Sequence, residues 1–593
     1  MKILLTAINA KYIHSNPAVY SLAAYANHNL TKEQKEKCRI EIAEYTINHR
    51  TESIIADIYK KKPDVLNFSC YIWNWEYVQE VMTELHKLMP EVPIYLGGPE
   101  VSYTSEAILK QYPFLAGIVM GEGEETFLEM CRAYIEGEEY PVLAGICTKK
   151  NSADENNIQN AGQPRGLVNM NDIPFFYDDM AAFEHRIVYY ESSRGCPYRC
   201  SYCLSSIDKT VRLRDLDLVK KELQFFLDVK VPQVKFIDRT FNCNRDHACE
   251  VWQYILEHDN GITNFHFEIS ADILTDRELA ILEKMRPGLV QLEIGVQSTN
   301  PETIREINRA MNVDKLREVV ARIHSFKNIH QHLDLIAGLP FEDYITFQKS
   351  FNEVYSMKPE QLQLGFLKVL KGSKMWEKAE EYGIAYTEKP PYEVLFTNWI
   401  TYDEIRKLKQ VEEMVEMYYN SDQFTYTLAM LEQEFETPFQ LYEALADYYV
   451  EKGYALQNPA RSYRYQILLD FCIAKAPEKE EMYRELLTFD IYLRENMKTR
   501  PAFAKSQDTL KDISREIYQK EEETRELLPA YAEYNSKQLS KMTHLEEFEY
   551  SVWKQGECKK LSEEQLMIFD YNERNPLNFE ARTVAFERSE SVL

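Results

Sequence analysis

An α/β fold in three parts is predicted for this chain of 593 residues. Strand and helix patterns alternate over residues 1–145 and again over 185–385. Alternation of this kind is typical of parallel sheets covered by helices. After residue 390 the apolar residues recur at helical spacing instead. These observations predict a doubly wound α/β unit, a second strand–helix unit and a mainly α-helical C-terminal part.

The first unit, residues 1–148, is predicted to contain a Rossmann-like (flavodoxin-like) parallel sheet. Its strands are predicted at 2–7, 39–45, 64–69, 93–96 and 117–120, with helices at 17–30 and 75–89. Ligands bind such sheets at the carboxyl ends of the strands. Small residues stand at three of those ends: Ser69, Gly97-Gly98 and Gly121.

Residues 149–184 are rich in Asn, Gln and Gly, which predicts a linker. Residues 185–390 are predicted to contain six strands with helices between them. Those strands are at 187–191, 234–237, 265–269, 289–296, 333–337 and 363–369. In barrels of strand–helix units, the functional residues lie at the carboxyl ends of the strands.

The C-terminal part, residues 391–593, is predicted to begin after Pro390-Pro391. Val411, Met414, Val415 and Tyr418 follow helical spacing, and Leu510 begins another such pattern. The region is acidic and rich in Tyr, and it contains no repeat, ligand cluster or catalytic motif. The sequence therefore predicts helices there but leaves their role open.

Composition excludes several classes of protein. The net charge of -26 disfavours non-specific nucleic-acid binding, which requires Lys and Arg to neutralise phosphates. No apolar run approaches the ~20 residues that span a bilayer, and the apolar start of the chain breaks at Asn9 and Lys11, too early for a secretory signal. Eleven cysteines in a chain of this length do not indicate a disulfide scaffold. We therefore expect a cytoplasmic protein without a membrane partner.

Three cysteines stand close together in Ser192–Cys203 (SSRGCPYRCSYC): Cys196, Cys200 and Cys203. Thiolates are the usual protein ligands of iron–sulfur clusters, and three of them leave one iron of a [4Fe–4S] cube open. The alternatives are ordinary buried thiols or a zinc knuckle. A zinc site usually takes four ligands in two pairs, and no second pair is nearby.

The CxxxCxxC segment resembles the cluster loop of the radical SAM superfamily. The resemblance implies that the open iron binds S-adenosylmethionine (SAM), and that the reduced, oxygen-sensitive cluster cleaves SAM to methionine and a 5′-deoxyadenosyl radical. It also implies a partial (β/α)6 barrel and an anaerobic setting. Later segments, Glu293–Ser298 (EIGVQS) and Asp334–Pro340 (DLIAGLP), resemble the superfamily's fourth- and fifth-strand motifs. The SAM contacts implied in this way are Tyr202, Asp238, Glu268, Glu293, Gln297 and Gly338.

The spacing from Ser69 to Gly97-Gly98 resembles that of Rossmann-type cobalamin (B12) domains, in which glycines let the nucleotide tail pass. Such a domain ahead of a radical SAM core is usual in cobalamin-binding radical SAM proteins, including a subgroup that ends in an uncharacterised helical domain. The cobalamin contacts implied are Ser69, Trp73, Asn74, Gly97, Gly98 and Gly121. The family's Asp-x-His-x-x-Gly pattern fails here, because Tyr12 and Pro17 replace its Asp and Gly. We therefore do not expect His14 to be a committed cobalt ligand, since metal-bound histidines need an orienting partner.

The function implied is C-methylation, or a related rearrangement or cyclisation, of an unknown small-molecule or peptide substrate. A flavodoxin- or ferredoxin-type electron donor is implied too. A rival function is that of a radical SAM methylthiotransferase acting on RNA or protein, which needs three further cysteines. Cys38, Cys70 and Cys131 are available but do not all stand at strand ends. Two more hypotheses stay open: an N-terminal domain that binds nothing, and a non-enzymatic cobalamin or redox sensor.

Overall fold

The computed structural model describes residues 1–138, 141–149, 158–160, 165–506 and 510–587. Its N-terminal sheet has seven strands: β1 (Lys2–Asn9), β2 (Arg39–Thr46), β3 (Val65–Ser69), β4 (Ile94–Gly97), β5 (Gly117–Val119), β6 (Ile146–Lys149) and β7 (Ile158–Asn160). Their order is β2-β1-β3-β4-β5-β6-β7. The first five strands are parallel, as predicted, whereas β6 and β7 add an antiparallel edge. Residues 150–157 and 161–164 of the predicted linker lie outside the described residues.

Helices cover both faces of this sheet. They are α1 (Pro17–Asn29), α2 (Lys32–Lys37), α3 (Thr51–Lys61), α4 (Trp75–Leu88), α5 (Pro99–Ser102), α6 (Ser105–Gln111) and α7 (Glu124–Ile135). Alternate residues of β1 explain the two layers. Leu4 packs in one apolar cluster with residues of α3 and α4, and Ile3 packs in the other with residues of α1 and α7. A strand buried on both faces is the usual state of a parallel sheet.

The second unit is a partial barrel. Its strands are β8 (Val188–Tyr190), β11 (Gln233–Phe236), β12 (Asn264–Ile269), β13 (Val290–Gln297), β14 (His330–Ala337) and β15 (Gln361–Phe366), while β9 (Ser193–Arg194) and β10 (Arg212–Leu213) form a short antiparallel pair. The six barrel strands are parallel and in chain order. This agrees with the predicted six-stranded strand–helix unit.

The barrel helices are α8 (Leu216–Asp228), α9 (Arg245–Glu257), α10 (Asp276–Leu282), α11 (Pro301–Glu306), α12 (Val313–Phe326), α13 (Tyr344–Ser356) and α14 (Lys374–Glu377). Along β13 the burial alternates, with Leu292 and Ile294 fully buried and Glu293 partly accessible. Side chains on opposite faces of a strand alternate in this way. The accessible set therefore faces the barrel lumen, which is polar.

Helices dominate the C-terminal part as far as residue 542, as predicted. They are α15 (Tyr402–Met414), continued by a π-helical turn over Val415–Tyr419, α16 (Thr425–Leu431), α17 (Pro438–Glu451), α18 (Arg461–Lys475), α19 (Glu480–Arg494), α20 (Leu510–Thr524) and α21 (Ser536–Met542). Among the described residues, no helix is both long and apolar enough to cross a membrane.

Two features of this region were not predicted. Pro390-Pro391, after which the C-terminal part was predicted to begin, lies in the turn between β16 (Ala385–Tyr386) and β17 (Val394–Phe396). A three-stranded antiparallel sheet follows the helices, with β18 (Thr543–Tyr550), β19 (Lys560–Arg574) and β20 (Ala581–Glu587).

The helical region closes one edge of the barrel. Asn420 follows the π-helical turn, and its side chain bonds both backbone groups of Leu362 on β15: Leu362 N donates to Oδ1 and Nδ2 donates to Leu362 O, each at 2.9 Å. An exposed edge strand offers unpaired backbone groups to other chains. The Asn420 amide therefore acts as a one-residue substitute for a neighbouring strand.

Ion pairs join the N-terminal unit to the barrel. Arg186 lies 2.5 Å from Glu44, and Lys371 lies 3.0 Å from the nearly buried Glu100. Tyr392 also donates to Glu100. These contacts fix the N-terminal unit against the barrel.

Glu342 links the ends of β13 and β14. It is 1% exposed, and its Oε1 accepts hydrogen bonds from Ser298 and Ser350 at 2.6 and 2.8 Å. Burial raises the pKa of Glu342 to about 7. The contribution of Glu342 to stability is therefore greatest below the ordinary glutamate pKa and is lost as the pH rises through 7.

Glu342→Gln should be more stable than the wild type at pH 8, because glutamine accepts the same two bonds without ionising. The shift limits the gain to about 3 kcal/mol, and the gain should shrink towards zero near pH 5. Urea-unfolding midpoints at the two pH values measure this difference. Glu318→Gln, on an exposed face of α12, is the control. An equal gain at both pH values would contradict this prediction.

Candidate functional site

A cavity of about 1050 Å³ lies between the N-terminal sheet and the barrel. Loops at the carboxyl ends of both sheets line it. Six residues predicted from the sequence are among its walls: Ser69, Trp73, Gly97, Gly98, Gly121 and Glu268. The sequence motifs of the two units therefore meet at one site.

Two features of the N-terminal wall suit a large, flat, amide-bearing ligand such as cobalamin. Trp73 is 42% exposed and stacks on Tyr71, with ring centroids 4.3 Å apart. Asn16 donates to Ser69 Oγ at 3.1 Å, yet its own Oδ1 is buried without a partner. Buried acceptors are normally satisfied, so Oδ1 can accept a bond from a ligand amide.

Gly98 has φ +110, and a Cβ there would lie 2.4 Å from Cys70 O. Only glycine therefore fits this turn.

Asn74 does not reach the cavity. It is fully buried, and Nδ2 donates to Ile8 O and Ser69 O at 3.0 and 2.9 Å. Its Oδ1 accepts from Tyr71 N at 2.8 Å. Asn74 thus fixes the loop that carries Trp73, rather than contacting a ligand.

His14 lines the cavity, and its Nδ1 lies 2.5 Å from Tyr189 Oη on the barrel strand β8. Burial lowers the pKa of His14, and Lys11 adds to the shift. The imidazole is therefore neutral near pH 7. Its partner is a phenol from the other unit, not the aspartate that the cobalamin motif would supply.

The three cysteines lie in a loop between β9 and β10. Cys196 and Cys200 are buried and Cys203 is partly accessible. Burial raises the pKa of Cys200, while the guanidinium of Arg309 opposes the rise. Gly195, which begins the loop, has φ +92, and a Cβ there would lie 2.2 Å from Thr210 O. The backbone thus requires the glycine of the Arg-Gly step.

The cysteine sulfurs fit a polynuclear cluster better than a single ion. Four sulfurs at about 2.3 Å from one zinc would lie about 3.8 Å apart. Among the described residues, the trio of ligand atoms within 4.8 Å of one another belongs to Glu293, His332 and Asp334, not to the cysteines. The three cysteines do not form such a close trio, and their thiolate donor set suits an iron–sulfur cluster.

Of the predicted SAM contacts, Glu268 lines the cavity and the others do not. Burial raises the pKa of Glu268 to about 7. Asp238 does not line it and is 1% exposed. Its oxygens accept from Ser192 N, Ser192 Oγ and Ser193 Oγ at 2.6–3.0 Å. Asp238 thus supports the strand end before the cluster loop, and its neighbours Ile237 and Arg239 face the cavity instead.

The remaining predicted contacts lie beside the cavity rather than in its wall. Tyr202 Oη accepts from Arg309 at 3.2 Å, and Arg309 also donates to Gly295 O. Gln297 has φ +73, and its Oε1 is buried without a hydrogen bond. Gly338 has φ +87, and a Cβ there would lie 2.8 Å from Val394. Arg309, which the sequence analysis missed, joins the cluster loop to the fourth-strand motif.

Glu293 belongs to a charged network in the barrel lumen. Lys235 Nζ and His266 Nε2 each lie 3.0 Å from its Oε2. Burial alone would raise the pKa of Glu293, but these two partners lower it to about 2. His332 and Asp334 form a second pair at 3.0 Å. No spacing rule in the sequence pointed to this network, because its members come from four strands.

Comparison with known proteins agrees with this geometry. Residues 3–130 match the family model of the B12 binding domain, and residues 190–354 match that of the radical SAM superfamily. Residues 380–569 match a protein family of unknown function, DUF4080. The chain is a cobalamin-binding radical SAM protein.

Relatives of this radical SAM protein include methyltransferases. It is 24% identical over 389 residues to an uncharacterized methyltransferase of Pyrococcus horikoshii, covering 63% of this chain and 81% of the relative. It is 24% identical over 426 residues to the cobalamin-dependent radical SAM methyltransferase TokK of Streptomyces tokunonensis, covering 65% of this chain and 62% of TokK. The predicted cofactors, a [4Fe–4S] cluster, SAM and cobalamin, and the prediction of an enzyme are thus confirmed.

Solved structures share the architecture. The cobalamin-dependent S-adenosylmethionine radical enzyme OxsB, with aqua-cobalamin bound, aligns at a TM-score of 0.57 and 15% identity. The alignment covers 83% of this chain and 79% of OxsB. At this identity the likeness establishes the fold alone.

One contact between the two halves of the radical SAM protein escaped the sequence analysis. Arg194, in the Arg-Gly step of the cluster motif, lies 2.7 Å from Glu124 and 2.8 Å from Glu191. Glu124 begins α7 of the B12-binding half, and its side chain is 5% exposed. Burial raises the pKa of Glu124, but Arg194 outweighs it and the net shift is downward. A buried ion pair therefore ties the cluster loop to the cobalamin loops.

Proposed function

We propose that this protein is a cobalamin-dependent radical SAM methyltransferase that methylates a carbon atom of a small molecule or peptide. One observation carries the proposal. The cavity of about 1050 Å³ is walled both by the B12-type loops, with Ser69, Gly97 and Gly98, and by the barrel end beside the cluster cysteines. The names of the relatives, which include methyltransferases, support the choice of methylation.

The roles of the residues follow from their chemistry. Cys196, Cys200 and Cys203 would hold the cluster, and Ser69, Trp73, Gly97, Gly98 and Gly121 would cradle cobalamin. Glu268 would bind hydroxyl or amino groups of SAM, since its carboxyl can donate or accept a proton near pH 7. When bound, the cluster supplies one-electron cleavage of SAM and cobalamin supplies a methyl group. The protein's own part is to orient these groups and exclude water.

The partly accessible Cys203 supports a further part of the proposal. A flavodoxin- or ferredoxin-type donor would deliver electrons at the side of the loop on which Cys203 lies. The proposed setting is an anaerobic cytoplasm, because an open iron is sensitive to oxygen. We also propose domain boundaries after residues 148, 184 and 390, which rest on the sequence pattern.

The decisive test is to prepare the protein anaerobically with cobalamin supplied and to measure metals, corrin absorbance and nucleoside products. We expect about four irons and one cobalt per chain. We also expect 5′-deoxyadenosine when SAM and a strong reductant are added. About eight irons would favour a methylthiotransferase instead. A protein without corrin would indicate an empty N-terminal scaffold, and a full cluster that never cleaves SAM would indicate a sensor.

A further inference from the structure

A second, smaller cavity of about 220 Å³ adjoins the main one. The two share wall residues, among them Tyr71, Tyr189 and Glu191. The rest of the smaller wall comes from Ser21 of α1, from the segment 170–177, from Tyr190 of β8, and from Arg214 and Glu222. We call this cavity the side pocket.

The side pocket has a mainly apolar wall. Ile173, Pro174, Phe175 and Phe176 contribute to it, together with Pro17 and Ala18 from the N-terminal unit. Its buried polar groups already have partners. Arg214 makes two bonds to Glu222 at 2.9 and 2.6 Å, and Tyr190 donates to the same carboxylate at 2.7 Å. The interior therefore favours an apolar group over a polar one.

The volume limits the size of that group. A cavity of roughly 150 Å³ lined by apolar residues holds benzene. The side pocket, at about 220 Å³, therefore holds one ring with a short side chain, or two fused rings. It is too small for a corrin or for SAM. Part of its wall, residues 170–177, lies outside the stretches that match the B12-binding and radical SAM families.

Glu191 stands at the neck between the two cavities. Its Oε2 accepts from Arg194 Nε at 2.8 Å, while within the described residues no hydrogen bond is found for Oε1. Two guanidiniums, Arg194 and Arg212, pair with four carboxylates here, those of Glu191, Glu122, Glu124 and Asp208. Burial raises the pKa of Glu191 even though Arg194 opposes the rise. One further cation beside Glu191 would stabilise its negatively charged form.

We propose that the side pocket anchors the substrate, and that the substrate carries a ring-sized apolar group next to a protonated amine that pairs with Glu191. The inference rests on the proposed function, because the pocket is assigned as part of the same reaction chamber. An amine at the neck and a ring in the pocket would leave the rest of the molecule in the main cavity. That is the space between the two cofactor sites.

Phenethylamine and 3-phenylpropanoate test this proposal, since they have the same ring and similar length but opposite charge. Binding to the reconstituted holoenzyme is measured by anaerobic calorimetry. We expect phenethylamine to bind at least tenfold more tightly than 3-phenylpropanoate. Glu191→Gln should remove that preference. Equal affinities for the two probes in the wild type would overturn the proposal.

Paired substitutions at Ile173, which lines only the side pocket, locate the ring. Ile173→Trp fills the pocket and should weaken phenethylamine binding at least tenfold. Ile173→Ala enlarges it and should favour 2-(1-naphthyl)ethylamine over phenethylamine. Iron and corrin contents report whether each variant has folded, and Val229→Trp, on an exposed position after α8, is the matched control. Unchanged probe binding in folded Ile173→Trp would overturn the proposal.

The two hypotheses fail separately. If the wild-type holoenzyme forms no 5′-deoxyadenosine from SAM, the proposed function is wrong whatever the probes do. If it forms 5′-deoxyadenosine but binds neither probe, the proposed function stands and the side pocket is wrongly assigned.

Discussion

Cys200→Ala is expected to abolish both cluster binding and SAM cleavage. Two remaining thiolates cannot hold a cube that needs three protein ligands and an open iron. Iron should therefore fall from about four per chain to near zero, with loss of the cluster's visible absorbance. Formation of 5′-deoxyadenosine should fall below detection. Metal analysis and chromatography of anaerobic reactions measure the two effects.

Cys249→Ala is the matched control for this prediction. Cys249 is a buried thiol on α9, outside the cluster loop. It should lose neither iron nor activity. Corrin content should also survive in Cys200→Ala, because the cobalamin loops belong to the other sheet. If Cys200→Ala still forms 5′-deoxyadenosine at the wild-type rate, or if the wild-type loop contains zinc, the cluster assignment is wrong.

Local motifs in the sequence predicted the parts of the site that depend on the backbone. Gly98 and Gly195 have positive φ values, and a side chain at either would collide with a neighbouring carbonyl. Such positions can be recognised in the sequence, because only glycine fits them. The parallel strands could also be predicted, since both faces of β1 and β3 are buried and their sequences (KILLTAIN and VLNFS) are mainly apolar.

The direction in which a loop side chain points could not be predicted from the sequence. Asp238 and Arg239 are neighbours after β11, yet Asp238 turns into the protein and Arg239 lines the cavity. The assignment of Asp238 to SAM rested on its position at the end of a strand at which the radical SAM superfamily contacts SAM. The carboxylate instead accepts three bonds from the strand end before the cluster loop. Which of the two faces the ligand depends on backbone angles that no sequence spacing encodes.

The C-terminal sheet was missed for a different reason. β18 (THLEEFEY) and much of β19 are rich in Glu, which is depleted in strands. Tertiary packing overrides that preference. Phe548 and Phe569 are buried against Phe489 of α19, and Arg500 neutralises the buried Glu546 at 2.7 Å. A long-range partner of this kind cannot be found from one strand alone.

Arg194→Met is expected to destabilise the contact between the two halves by about 3–5 kcal/mol, the usual cost of removing one partner from a buried ion pair. Glu124 and Glu191 would be left without their guanidinium. In the wild type the pKa of Glu124 is lowered, so its stabilising effect is present above the ordinary glutamate pKa and is lost as the pH falls. In the variant, burial alone would raise that pKa, and stability would fall as the pH rises instead.

Urea unfolding followed by corrin absorbance at pH 5 and pH 8 measures this reversal. The loss in free energy of unfolding caused by Arg194→Met should be larger at pH 8 than at pH 5. Arg277→Met removes an exposed pair with Asp246 and should cost less than about 1 kcal/mol. An Arg194→Met deficit as small as that, or one independent of pH, would contradict a role for the buried pair.

Adding Glu124→Gln to Arg194→Met separates charge from packing. The double variant has no buried charge at position 124, so it should regain part of the lost stability and most of the pH dependence should disappear. Neighbouring residues that interact show this kind of non-additivity. If the double variant is instead as unstable as the sum of the two single variants, the contribution of Arg194 is packing. The cluster loop and the cobalamin loops would then be held together by shape rather than by charge.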